Sequence, residues 1–351
     1  MKHSGNSTIQ LSFVYVGTVV GAGFATGKEI VEFFLKFGPA GMLGILISGI
    51  MFTFLGSKMM IISRRIRAAS YRELNIFLFG KTIGPVVNGF LLLILFGVTS
   101  VLLSGAGAIF KEQLHTSAHF GILLTIAICL LVLSRGINGL FGVNILVVPM
   151  LMLFTMIVFT DSFLFYEDLG SQFWVVDLEK SDVGWIVSAI SYGAFNLSLA
   201  QAVLVPVASE LESEKQIKAG AYLGGGILTV ILLCSFLAMT TLPDTLFFDV
   251  PMAHVVQISS GSIHMIYLLI IFGEIFTSVI GNIYGMEKQI RKYVNINRIV
   301  IYCMILGIAY CISLVGYGKL LTAIYPLFGN VSIFFVLFLL FKKIPDNNVL
   351  K

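Results

Sequence analysis

The sequence predicts an all-α integral membrane protein: ten transmembrane helices in two inverted repeats of five, with the first and sixth helices broken. Three observations predict it. Of 351 residues, 58% are hydrophobic and 11% charged, with a mean hydropathy of +0.98, whereas a soluble domain has roughly 45–50% apolar and 25% charged residues. Apolar stretches of about 20 residues, enough to cross a bilayer, recur ten times along the chain. The two halves of the chain also share a faint repeat.

The spans cover residues 9–35, 40–63, 83–110, 118–134 and 137–160, then 184–207, 219–241, 262–287, 299–315 and 320–341. The first contains "GTVVGAGFATGKEI", Gly17 to Ile30, with its own helix breakers and two charges. Gly21, Gly23 and Gly27 allow the backbone to unwind, and lipid cannot pair the amides and carbonyls so released; they must face protein, ion or solute. Glycines also serve close helix packing, the role expected of Gly41 and Gly44 in the second span, but packing does not account for Lys28 and Glu29. Pro149 and Pro326 interrupt the fifth and tenth spans. The sixth reads "SYGAFNLSLAQAVLVPVASE", Ser191 to Glu210. Tyr192, Asn196, Ser198 and Gln201 form a polar cluster at its centre, and Pro206 removes a helical hydrogen bond beside it. In the eighth, Glu274, Thr277 and Ser278 lie at i, i+3 and i+4, so three oxygen-bearing side chains share one helical face. The four cysteines, Cys129, Cys234, Cys303 and Cys311, sit inside apolar runs and read as small core residues.

The repeat pairs "KFGPAGMLGI" (Lys36 to Ile45) with "KAGAYLGGGI" (Lys218 to Ile227), each opening the second span of a five-span half. Similar offsets pair Glu29 with Glu210 and Gly80 with Gly261. Because five is odd, the second half enters the membrane from the opposite side. The expected organisation is a first repeat at 1–160, an extracellular connection at 161–183, a second repeat at 184–342 and a cytoplasmic tail at 343–351. Lysine and arginine placement gives the same topology, because basic loops stay on the cytoplasmic side. "RRIRAASYRELNIFLFGK" and "KQIRKYVNINR" then lie inside with both termini, and the acidic "DSFLFYEDLGSQFWVVDLEKSD" lies outside. The net charge of +4 follows from this topology and calls for no nucleic-acid partner. The partners expected are the bilayer and a small-molecule solute.

The first and sixth spans resemble the broken helices of the LeuT-type fold in the amino acid–polyamine–organocation (APC) superfamily. Within it the chain is similar to the YkvI-like permeases, with "GAGFATGKEI" followed by "EFF" as the local match. The resemblance implies a secondary transporter of an amino acid or related amine. It implies a cation site at Gly17, Val20, Thr277 and Ser278, to which the face shared with Glu274 adds a carboxylate. Hard cations prefer such oxygen ligands, and an ionisable residue in mid-span is expensive and a functional candidate by default. It further implies solute contacts at Gly21, Ala22, Gly23 and Phe24 in the first break and at Asn196, Ser198 and Gln201 in the sixth. Free amides at the half-helix after Gly23 would suit a carboxylate. Two departures from the sodium symporters stand against an ordinary α-amino acid: Ala200 and Ala202 replace common glycines, and no tyrosine stands in the third span. Lys28 has Glu29, Glu32, Glu274 and the solute as candidate partners; the expected role is an ion pair in the outer vestibule, with Lys28 and Glu29 at the gate.

The expected mechanism is alternating access coupled to sodium or a proton; no other cofactor is implied. The alternative is a receptor for a small nutrient on the same fold. A channel fits broken repeats less well, and no His, Cys or carboxylate constellation suggests an enzyme; His254 and His264 fall at the outer loop after the seventh span. Impermeant labelling of intact cells tests the topology. Tags at both ends should react only after permeabilisation, and a cysteine placed near Asp168 should react without it; labelling of that loop only from inside would overturn the inverted arrangement.

Overall fold

The computed structural model describes residues 4–112, 114–135, 137–165, 183–211, 213–241, 251–252, 255–256 and 261–346. Most of the acidic connection (166–182), the last tail residues (347–351), His254 and the side chain of His264 lie outside the described residues. Among the described residues the chain is helical, without a strand. The helices are α1 (Ser4–Val19), α2 (Ala22–Ala25), α3 (Lys28–Phe33), a 3₁₀ turn (Leu35–Phe37), α4 (Pro39–Arg65), α5 (Tyr71–Glu112), α6 (Ala118–Leu133) and α7 (Ile137–Phe165). Then come α8 (Gly184–Ser209), α9 (Glu214–Met239), α10 (Gly261–Ile290), α11 (Arg298–Ser313) and α12 (Tyr317–Phe341). Among the described residues, six helices are long and apolar enough to cross a membrane, and four shorter apolar stretches in α1, α6, α11 and α12 bring the number to ten.

The first span is interrupted where its glycines stand. α1 stops at Val19, α2 is a single turn, and α3 starts after Gly27, whose φ of 84° is left-handed and disfavours any side chain. The sixth span corrects the expectation: α8 runs unbroken from Gly184 to Ser209, with Pro206 inside its last turn. Ala194, Ala200 and Ala202 are strong helix formers where an unwound segment would favour glycine. Asn196 does not open the helix either, because its amide Nδ2 donates to the Tyr192 carbonyl one turn back at 3.1 Å. α5 begins on a capping box in which the Ser70 amide and hydroxyl both donate to Glu73. It then bends at Gly80, at φ 84° and ψ 175°, a region open only to glycine.

Contacts sort the helices into two groups. α1, α4, α8 and α9 pack on one another, as do α5, α6, α10 and α11. α7 lies against α1, α9 and α10, and α12 against α8 and α5. Lipid tails are as apolar as the helices, so association rests on close packing and interhelical hydrogen bonds. Both are present in the first group. Gly49 of α4 faces Thr229 of α9, where an added Cβ would lie 2.8 Å from Thr229 Cγ2, and Gly56 faces the Tyr15 ring, 2.8 Å from Cζ. The Tyr15 hydroxyl donates to the Phe52 carbonyl at 2.7 Å and the Ser48 hydroxyl to the Ala189 carbonyl at 2.9 Å. Exposed apolar side chains such as Leu131, Leu153, Leu269 and Phe334 are left to face the lipid.

One end of the molecule carries most of the ion pairs found among the described residues. Arg65 grips Glu214 through two bonds of 2.9 Å while Arg64 holds it at 3.0 Å, fastening α4 to the start of α9. Lys292 pairs with Glu73 at 2.9 Å and Lys288 with Glu210 at 3.8 Å, so the end of α10 reaches both α5 and the residue after α8. Arg64, Arg65, Glu73, Lys288 and Lys292 belong to the basic loops of the sequence, and Glu210 and Glu214 to the junction of α8 and α9. The α4/α9 glycine contact yields a stability test. Gly49→Leu should lower the melting temperature of the detergent-solubilised protein by overpacking worth about 1–3 kcal/mol, whereas Gly226→Ala, with no atom within 4 Å of the added methyl, should not lower it.

Candidate functional site

The site is built where the first span breaks against α10. Breaking a helix in lipid frees carbonyls that need donors, and α10 supplies them. Ser278 Oγ donates to the Val20 carbonyl at 2.6 Å and stands 3.4 Å from the Gly17 carbonyl. Thr277 Oγ1 lies 3.4 Å from that same carbonyl and 2.9 Å from the Glu274 carbonyl. Three turns earlier on α10, Tyr267 donates to the Ala25 carbonyl at 2.8 Å. Thr277 and Ser278 are buried, as is Glu274, whose side chain is wholly inaccessible and whose two carboxylate oxygens have no hydrogen-bond partner among the described residues. Gly17, Val20, Thr277 and Ser278 thus come together as four oxygens, two carbonyls and two hydroxyls, with Glu274 one turn away on the same helix. Neutral oxygens near a carboxylate suit a hard monovalent cation.

Asn144 of α7 joins this corner, and the sequence reading missed it. It is buried, and a Cβ on Gly17 would stand 2.9 Å from its Cγ. The available signal was an amide well inside the apolar fifth span. The requirement for glycine at 17 therefore comes from Asn144 rather than from chain flexibility.

The break itself faces α5 and α10: a Cβ on Gly21 would lie 3.6 Å from Leu102 and 3.7 Å from Ser278 Oγ. Ala22 opens α2, and Phe24 is buried. Beside Gly23 the space is taken by Glu29, whose Cγ and Cδ would stand 2.7 and 2.9 Å from an added Cβ. Glu29 is 4% exposed. This places it differently from the outer-vestibule pairing with Lys28: the side chain folds back over the break and accepts a hydrogen bond from Tyr325 of α12, and its Oε2 has no hydrogen-bond partner among the described residues. Lys28 itself starts α3 and is partly exposed. Nearby, Lys36 and Glu32 pair at 3.9 Å, both exposed.

The polar residues of the sixth span divide. Tyr192 turns toward the first span, with its ring 5.2 Å from Phe33 and 4.9 Å from Phe34. Ser198 and Gln201 line a separate apolar cavity of about 220 Å³ between α5, α8 and α12, walled by residues such as Phe90, Ile94 and Phe335. They are buried, and Ser198 Oγ and Gln201 Oε1 find no hydrogen-bond partner there among the described residues. A larger open cavity of about 440 Å³ lies between α3, the start of α8 and α12, bordered by Phe33, Ser191, Tyr325 and Asn330.

Comparison with known proteins agrees with this architecture. No family model matches the chain. The membrane protein YkvI of Bacillus subtilis (strain 168) is 58% identical over 345 residues, 98% of this chain and 99% of its own length. The protein YyaD of the same strain is 22% identical over 94% of this chain and 95% of its own length. Among solved structures, MhsT in complex with L-phenylalanine superposes with a TM-score of 0.71 at 15% identity, covering 94% of this chain and 87% of that one. A Na⁺-coupled sialic acid symporter in a substrate-bound, outward-open state gives 0.70 at 13% identity, covering 96% and 79%. The fold is therefore that of the LeuT-type membrane proteins, and with more than half of its residues identical to YkvI across nearly the whole length, the chain belongs to the YkvI family of membrane proteins.

Proposed function

We propose that this chain is a secondary transporter that couples a small solute to a cation by alternating access. The observation that carries the reading is the meeting of the Ser278 and Thr277 hydroxyls with the Gly17 and Val20 carbonyls at the break of the first span. The fold shared with a Na⁺-coupled symporter and with a phenylalanine complex supports it. In this reading Gly17, Val20, Thr277 and Ser278 bind sodium and the buried Glu274 carboxylate balances its charge. The solute, an amino acid or related amine, sits at Gly21 to Phe24 between the first span and α8. Asn196 is a neighbour on α8, while Ser198 and Gln201 act from their own cavity, away from the break.

The site lies between the two helix groups, the break belonging to α1, α4, α8 and α9 and the hydroxyls to α5, α6, α10 and α11. A cation that joins them favours the arrangement in which both sets of oxygens meet, and that difference in affinity is what coupling needs. We place the protein in the cell membrane with both termini in the cytoplasm, repeats at 1–160 and 184–342, and the ion-paired end inside.

Sodium itself is the first probe. Raising sodium at constant ionic strength with potassium should stabilise the purified protein, because a ligand of the native state alone raises its melting temperature. Ser278→Ala should raise the sodium needed by about tenfold, equivalent to about 1.4 kcal/mol, and Thr277→Val should act in the same direction. In proteoliposomes an inward sodium gradient should drive accumulation of labelled amines or amino acids. Accumulation that instead follows a pH gradient and stops in Glu274→Gln reassigns the coupling to protons. No accumulation under either gradient, with solute still bound, would make the protein a receptor.

A further inference from the structure

Glu29 is a carboxylate in a place where the family resemblance leads one to expect the carboxylate of a solute. Its side chain lies over Gly23, in the break of the first span, and it is buried. Tyr325 satisfies part of it, and Oε2 remains without a hydrogen-bond partner among the described residues. The Tyr192 hydroxyl is in the same condition, and Tyr325 is near enough to Glu29, Tyr192 and Tyr317 to interact electrostatically with each. Aromatic rings close the surroundings: Tyr192 contacts Phe33, Phe34 and Phe52, and Phe195 meets Tyr325 at 5.0 Å. The 440 Å³ cavity shares Tyr325 and Phe33 with these surroundings and also borders on Glu32 and Lys36; its volume is within the size range of small-molecule sites.

We propose that Glu29 recognises the positively charged nitrogen of the solute, so that the transported class is small primary amines without a carboxylate. This deepens the transport reading and rests on it for the movement of the solute. A solute carboxylate beside Gly23 would meet the Glu29 carboxylate at close range in a medium that screens poorly, and like charges there repel strongly. An ammonium group meets the opposite conditions. It brings donors to Oε2 and to the Tyr192 oxygen, compensates a carboxylate that burial otherwise penalises, and lies among aromatic faces that attract cations. Glu29 thus takes on this chain the place that a carboxylate borne by the solute would fill. Glu274, on α10 beside the proposed sodium site, remains a separate acid with a separate task.

The test uses the purified full-length protein and four probes: n-butylamine, 2-phenylethylamine, butyrate and 1-butanol. In wild type the amines should raise the melting temperature saturably, at concentrations at least tenfold below those at which butyrate or butanol has any effect. Glu29→Gln, which keeps shape and one acceptor, should bring n-butylamine to the level of butanol, and Tyr325→Phe should weaken the amines severalfold. Equal stabilisation by butyrate, no saturable effect of either amine, or an unchanged amine response in Glu29→Gln would each overturn the proposal. Should that variant fail to fold, the wild-type contrast between amine and carboxylate decides alone. Amine binding without gradient-driven uptake would overturn the transport reading and leave the amine site standing. Gradient-driven uptake of a carboxylate solute, with Glu29→Gln behaving as wild type, would overturn the amine site and leave transport standing.

Discussion

A carbonyl released inside a bilayer has no water to accept from, and the architecture of this protein follows from where its released carbonyls find donors. The first span frees several by stopping at Val19 and restarting twice. Those of Gly17, Val20 and Ala25 meet hydroxyls of one neighbouring helix, α10, through Thr277, Ser278 and Tyr267. The Thr26 carbonyl takes the Met252 amide at 3.0 Å, and that of Gly23 takes the Thr26 hydroxyl at 3.2 Å. With each group costing several kcal/mol if left unpaired, α10 has to lie along the break. The cluster of oxygens at Gly17, Val20, Thr277 and Ser278 is a product of that same requirement.

The donors and acceptors of this junction belong to different helix groups, which is why it matters beyond stability. Within the first group, glycines bring α4, α9 and α1 to distances that leave no space for a methyl, and arginines fix the ends of α4 and α9. Such a unit resists internal rearrangement. Across the groups the α10 hydroxyls meet the break, and two of these contacts, to the Gly17 carbonyl, are long at 3.4 Å. Rigid bodies joined by weak polar contacts are the natural carriers of rocking motions.

Much of this was legible in the sequence, and the part that was not has physical reasons. Apolar length located ten spans, and the glycine-rich stretch located the first break, because both are local properties. The Glu274, Thr277 and Ser278 face followed from helical spacing. The sixth span misled: polar residues and a proline suggested a break, while alanines at 194, 200 and 202 kept the helix whole and Asn196 bonded to its own turn. Which way a polar side chain points depends on neighbours far away in the chain, so Ser198 and Gln201 facing α5 and α12 could not be read from their own segment. Glu29 misled similarly, since its burial over Gly23 depends on Tyr325, almost three hundred residues later.

The lengths of α6 and α11 bear on the membrane itself. Each has 16 residues, and the two are in contact at one side of the molecule. At 1.5 Å per residue they span about 24 Å, against a hydrocarbon core of about 30 Å. The bilayer must thin along that flank or the helix ends must recruit side chains toward the headgroups, at a cost that grows with each ångström of mismatch. Either adjustment falls on one flank, and membrane thickness becomes a variable that acts on the same scaffold that holds Thr277 and Ser278.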